Sequence, residues 1–206
     1  MALLLAGIAS AATVAVVDFD GYGVSFSDAQ TATQGVRDAF LEAGVLDPLS
    51  GSDIADGVSK GQDDALRRAR DLVSEGRRLY TTGDAAAAVG PLEDAIGLHE
   101  GALSDVGRRP ELADAVFLHG LALLKTGDAT DAKLRFAEAA ALVPHYAKER
   151  GTRMSSEAAG LLAAAEDALA KGPRKARPAD EVGRIAEALD VDYVVTGWVS
   201  ADGALS

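Results

Sequence analysis

Apolar residues are distributed along this chain in three ways. The first is the run MALLLAGIASAA at residues 1–12, which ends in the small residues Ala9, Ser10 and Ala11. It is too short to span a bilayer, which takes about 20 apolar residues, and it reads as a secretory signal peptide lacking the usual basic residue after Met1. The second is the strand pattern. Thr13 to Phe19, TVAVVDF, is β-branched and almost continuously apolar, as expected of a strand covered on both faces. Gly21-Tyr22-Gly23 then predicts a turn. VLDPL at 45–49 predicts a second short strand, with Pro48 placing it at a sheet edge or strand end. DYVVTGWVS at 192–200 predicts a third, followed by a hairpin turn at Ala201-Asp202-Gly203. The third pattern is helical. Ala29, Ala32, Val36, Ala39, Phe40 and Ala43 form one stripe over 27–43. Ser27 and Gln30 are expected to open that helix as a capping box, and Gly44 to close it. Residues 50–61, rich in Ser, Gly and Asp, predict a loop with at most one helical turn around Ile54.

From Gln62 onward the helical period dominates and the chain repeats itself. ARDLVSEGRRLYTTGDAAAAVGPLEDAIGL and ADAVFLHGLALLKTGDATDAKLRFAEAAALVP align on a shared Thr-Gly-Asp. Gly76 then matches Gly120, Ala88 matches Ala132, Leu92 matches Phe136 and Ala95 matches Ala139. This resembles the tetratricopeptide repeat, a helix–turn–helix unit that stacks on copies of itself. The resemblance implies small residues at the close helix crossing (Gly76, Ala88, Gly120, Ala132). It implies large apolar residues between units (Leu72, Leu92, Val116, Phe136) and a closing proline, present only in the second copy as Pro144. The copies are spaced more widely than the ideal unit of about 34 residues, and the excess falls between Gly97 and Arg109. A further helix at 155–172 is expected to cap the stack. The Pro/Gly-rich, basic stretch 172–178 then reads as a solvated linker, and a helix follows at 179–190 with Val182, Ile185, Ala186 and Leu189 on one face.

The strand–helix–strand at 13–49 and the helix–strand at 179–200 are each too small to bury their apolar faces alone. Joined, they predict a small α/β layer split by the helical array. VAVVDFDG at 14–21 and ALDVDYVVTGWV, Ala188 to Val199, resemble the amino-terminal domain of TolB-like and curli-assembly-like bacterial envelope proteins. That resemblance implies an envelope assembly or scaffolding role. The expected fold is therefore α+β and mainly α. It comprises a signal peptide (1–12), a first α/β half (13–61), a tetratricopeptide-like domain (62–172), a linker (173–178) and a second α/β half (179–206). Replacement of 62–172 by a short Gly/Ser linker is expected to leave a soluble α/β fragment, provided the missing C-terminal strands are restored. The chain stops three residues after the predicted hairpin turn, where a partner strand is expected to begin, so the sequence reads as a fragment.

Composition narrows the function. The 206 residues carry a net charge of −12, which argues against a nucleic-acid partner, since such proteins present a basic face. There is no cysteine, hence no disulfide and no zinc–thiolate site. His99, His119 and His145 have no ligand spacing, and no cofactor or metal is expected. The face expected to hold a protein or peptide partner is the first helix of each hairpin, which is the concave side of a solenoid. It carries Arg70, Val73, Arg77 and Tyr80 from the first copy, with Asp114, Phe117, Leu121 and Leu124 from the second. The two arginines are expected to grip a partner carboxylate, and Phe117 and Leu121 to bury an adjacent apolar side chain. The alternative packs Phe117 and Leu121 on the helix at 155–171 and leaves the arginines merely solvated. The expected protein is non-enzymatic and periplasmic or envelope-associated without a membrane span, the alternative location being the cytoplasm. A competing class comes from Asp18-Phe19-Asp20-Gly21, which also resembles the first motif of haloacid-dehalogenase-type phosphotransferases. That resemblance implies Asp18 as nucleophile, Asp20 as general acid/base and Thr196 at the phosphate, although Tyr22 stands where a small residue belongs.

Overall fold

A computed structural model describes residues 12–146, 154–172 and 177–201. The protein is mainly α, of the α+β class. Its organising strand is β1 (Ala12–Val16), the middle of a three-stranded parallel sheet of order β3-β1-β4. Helix α1 (Phe26–Ala43) covers one face, where Val14 and Val16 meet Ala32, Val36 and Phe40. Ala15 and Val17 point to the other face, against Ile54, Val58, Leu103, Val106 and Ile185. Cover on both faces is why TVAVV shows no polar alternation. Strand β3 (Leu46–Pro48) lies at the edge, with Pro48 opposite Val14, a position that tolerates a missing ladder donor. On the other side β4 (Tyr193–Val195) pairs with β1, Val14 opposite Tyr193 and Val16 opposite Val195. The two ends of the chain thus share one sheet.

The Gly21-Tyr22 stretch is strand rather than turn. After Val16 the pairing continues through Val17 N–H to Val195 O (3.0 Å) and Asp20 N–H to Gly197 O (3.1 Å). It then becomes β2 (Asp20–Tyr22) parallel to β5 (Trp198–Ser200). Three residues, 17–19, oppose two, 196–197. This is a bulge, which bends the strand and re-aims its side chains. Gly21 suits this close approach, since a Cβ would lie 3.1 Å from Val24 and 3.3 Å from Pro144.

Two local expectations are corrected. Helix α1 is capped by Ser25 with Asp28, not by Ser27 with Gln30. Its inward stripe includes Thr33 and Arg37, while Ala39 and Ala43 are exposed. Thr33 is buried because its hydroxyl accepts the Phe19 N–H at 2.9 Å and donates to Ala29 O. Residues 51–59 form a nine-residue helix, α2 (Gly51–Ser59), opened by a Ser50/Asp53 capping box. Its Gly, Ser and Asp residues are weak helix formers, but Ile54 and Val58 anchor it on the sheet.

The array consists of α3 (Asp63–Thr81), α4 (Ala85–Gly101), a single turn α5 (Ser104–Gly107), α6 (Arg109–Thr126), α7 (Ala129–Leu142) and α8 (Ser156–Lys171). The pairs α3–α4 and α6–α7 turn identically. Gly83 and Gly127 take positive φ (97° and 96°), and Asp84 and Asp128 each accept a backbone N–H of the following helix. Ala88, Leu92, Ala95, Ala132, Phe136 and Ala139 are fully buried. Leu92 packs on Gly76 and Phe136 on Gly120, while Pro144 is buried just past α7. Helix α6 is enclosed by α4 and α7, and α8 packs on α7. The array leaves the sheet after α2 and rejoins it at α9 (Ala179–Leu189), which packs against α2. It also returns mid-way, because Leu103 and Val106 of the α5 turn complete the core beneath Ala15 and Val17. The expectation of a detachable insertion overlooks this return. The expected signal peptide apart from Ala12, most of the loop after Pro144, residues 173–176 of the linker and the turn beyond Ala201 lie outside the described residues.

Candidate functional site

Helices α3 and α6 present a ladder of two ion pairs. Arg70 and Arg77 stand two turns apart on α3, and Glu111 and Asp114 face them from α6. The Arg70 guanidinium is bidentate, Nε to Oε2 at 2.9 Å and Nη2 to Oε1 at 3.2 Å of Glu111. Arg77 donates to Asp114 Oδ2 at 2.5 Å, and the Tyr146 hydroxyl donates to Oδ1 of the same carboxylate at 2.6 Å. Arg108 adds a second cation beside Glu111 at 3.3 Å. Burial acts to raise the Glu111 pKa, but the hydrogen bond and charge of Arg70, with Arg108, hold it below the usual carboxylate range. The hydrogen bond to Glu111 raises Arg70 correspondingly.

Between these pairs lies a cavity of about 240 Å³ floored by Val73 and His99. His99 is buried, with Nδ1 3.0 Å from the Ser104 hydroxyl. Burial pushes its pKa down, so the imidazole is neutral at pH 7.

Of the sequence-named residues, Arg70, Val73 and Arg77 line this cavity. Tyr80 is half-buried one turn further on, with the Lys125 ammonium 5.0 Å from its ring centre. Phe117 and Leu121 are 1% and 6% exposed. The Phe117 ring packs in tilted contact with Phe136 and Tyr146, with centroids at 5.7 and 5.3 Å. Both residues belong to the core, with Leu162 of α8 in the same cluster, and neither is offered to a partner. Helical periodicity marks them as one apolar face without showing that α6 is enclosed. The carboxylates expected from a partner are supplied by the chain itself. Glu111, His99 and Tyr146 are the residues the sequence reading missed. Glu111 precedes Asp114 by three residues, which sets both on one face of α6, but the repeat alignment matches Arg70 with Asp114 and Arg77 with Leu121 and so gives no sign of the pairs that form.

A second charged cluster surrounds the bulge. Asp18 faces Arg37, Nη2 to Oδ1 at 3.3 Å, and the same Nη2 donates to Val16 O at 2.6 Å. Asp20 points the other way, to Arg109 Nη1 at 2.9 Å. Arg109 is 4% exposed; its Nη2 also donates to Asp18 O (2.8 Å) and its Nε to Asp105 O (2.7 Å). Arg177, expected in solvent, is largely buried and pairs with Asp105 at 2.6 Å and with Glu181. Burial is the largest influence on Arg177 and opposes its charge, but the Asp105 hydrogen bond together with the charges of Asp105, Glu181 and Asp20 outweighs it and raises the pKa. Family models, curated proteins and solved structures all give no match to this chain. Among the described residues no group of three or more His, Asp or Glu is arranged to hold a metal ion, and no helix is long and apolar enough to cross a membrane.

Proposed function

We propose that this chain is a non-enzymatic interaction or scaffold protein of the bacterial cell envelope, which binds a protein or peptide partner on the α3/α6 face of a tetratricopeptide-like array. The observation that carries the reading is the half-exposed ladder Arg70–Glu111 and Arg77–Asp114 beside a cavity floored by Val73 and the neutral His99. Exposed ion pairs contribute only about 0–1 kcal/mol, so a partner carboxylate can displace Glu111 or Asp114 from its arginine at little cost. The bidentate geometry at Arg70 gives such an exchange directional preference. The apolar start at 1–12 and the envelope-like motifs at both ends of the sheet support export. Asp18 and Asp20 have no chemical role in this reading; each carboxylate lies against a buried guanidinium.

The test uses the full chain and its Arg70→Glu/Arg77→Glu variant. Both side chains are half exposed, so the variant is expected to fold. A partner captured from envelope fractions by the native chain should be identified by mass spectrometry, purified, and bound at least tenfold more weakly by the variant. Equal binding by both forms would remove this face from consideration.

A further inference from the structure

The largest cavity among those described, about 490 Å³, lies between α4 and α7 with α6 as its floor, and shares no residue with the α3/α6 face. Its floor holds His119, which is 3% exposed and has no hydrogen-bond partner at either ring nitrogen. Buried polar side chains are as a rule hydrogen-bonded, and a neutral imidazole offers one lone pair and one N–H. Burial and the neighbouring Arg135 push its pKa down, against the smaller opposite effects of Glu93 and Asp131. The ring is therefore an acceptor at neutral pH.

The surrounding charges are unbalanced. Arg135 is occupied by Glu138 at 2.8 Å. Glu93 and Asp131 line the same cavity and carry no ion pair among the described residues. Val89, Leu123 and Leu134 supply an aliphatic strip in its walls, and Leu134 at the rim is 63% exposed. An acidic mouth, an unfilled imidazole lone pair at the bottom and an aliphatic wall between them match an ammonium group on a flexible hydrocarbon stem.

We propose that this cavity is a second docking site, which receives a lysine side chain from a basic peptide segment of a partner protein. The ammonium donates to His119 and to the carboxylates of Glu93 and Asp131. The stem lies on Leu123 and Leu134. The net charge of −12 favours approach of such a segment.

The experiment is an NMR titration of the full chain, isotope-labelled in histidine and backbone amides, with the capped tripeptide acetyl-Ala-Lys-Ala-amide. The expected result is a saturable shift of the His119 ring and of amides near Glu93 and Asp131. The norleucine analogue, which keeps the stem and loses the charge, should give none. Glu93→Gln/Asp131→Asn changes two exposed side chains, so its amide dispersion and melting should match the native chain while the apparent Kd rises at least tenfold. Arg70→Glu/Arg77→Glu should leave this titration unchanged, which separates it from the test of the α3/α6 face. An unshifted His119 ring, equal response to the norleucine peptide, or an unchanged Kd in the Gln/Asn variant would each overturn the proposal.

Discussion

Gly76→Ala and Gly97→Ala are the same chemical change in adjacent helices, yet the first is expected to be neutral or destabilising and the second stabilising. In an exposed helix interior, alanine is favoured over glycine by about 1 kcal/mol. Gly97 on α4 has nothing within 4 Å of a built Cβ, so its substitution should gain about that amount. At Gly76 the same Cβ would lie 2.5 Å from Leu92 Cγ and 2.7 Å from Cδ2. Leu92 is wholly buried between α3, α4 and α6, so it has nowhere to retreat. Overpacking of this kind costs about 1–3 kcal/mol, which cancels or exceeds the propensity gain. The two variants should therefore differ by about 1–3 kcal/mol, or roughly 2–12 °C in Tm for a chain of this size. Thermal and urea unfolding of the full chain, followed by helical circular dichroism, reads the difference. A cycle isolates the cause: Leu92→Ala alone should cost about 2–5 kcal/mol, and adding Gly76→Ala to it should recover part of that loss. If Gly76→Ala melts as high as Gly97→Ala, or if the two positions prove additive, the close α3–α4 crossing is not built as described.

Three other outcomes are expected. His99 and His119 both have depressed pKa values in the folded chain, so the stability they contribute is present above the unfolded value of about 6.5 and is lost as pH falls below it; denaturant titrations between pH 7.5 and 5 should show this slope, and removing either imidazole should reduce it. Cysteines placed at Ala15 and Val194, which are paired across β1 and β4, should form a crosslink detectable by mass spectrometry, while a pairing frame shifted by several residues should crosslink poorly. Replacing 62–172 with a flexible linker should give a fragment without a cooperative melt, and a sharp transition there would show that the sheet is self-sufficient.

What was legible in the sequence followed from strong local periods. TVAVV, the Thr-Gly-Asp turns and the Gly76/Leu92 and Gly120/Phe136 positions are set by their immediate neighbours, and the helices and the buried strand appear where those patterns predict. The misreadings share another cause. Helix α2 is weak by propensity and exists because Ile54, Val58 and Gly57 fit the sheet and Leu189 of α9, 132 residues away along the chain. Gly21 and Tyr22 carry a turn signature and become strand because Trp198–Ser200 lies alongside them. Phe117 and Leu121 carry an apolar face that suits a groove or a core equally well, and only the positions of α4 and α7 decide between them. Arg177 sits in a stretch with linker composition, and Asp105 draws it inward.

The same long-range contacts predict that the helical array and the α/β layer fold as one unit. The sheet has three strands in its main part, too few to bury both faces without help from outside. Leu103 and Val106, contributed by the array, fill the side of β1 that α2 and α9 leave open. Gly107 allows this, since a Cβ there would come within 2.7 Å of the Ala55 backbone. The seam is then tied by charge. The bulge at 17–19 directs Asp18 toward Arg37 in α1 and Asp20 toward Arg109 in α6, so one irregularity in β1 engages both parts of the molecule. Arg109 binds Asp20, Asp18 O and Asp105 O together, and Arg177 links Asp105 to the start of α9. Excising 62–172 removes Arg109 and Asp105 along with Leu103 and Val106. It leaves Arg177 without its Asp105 partner and the Ala15–Val17 face without cover. Loss of partners for buried charges costs several kcal/mol, comparable to the whole stability of a small domain, so the excised sheet has no margin left with which to fold.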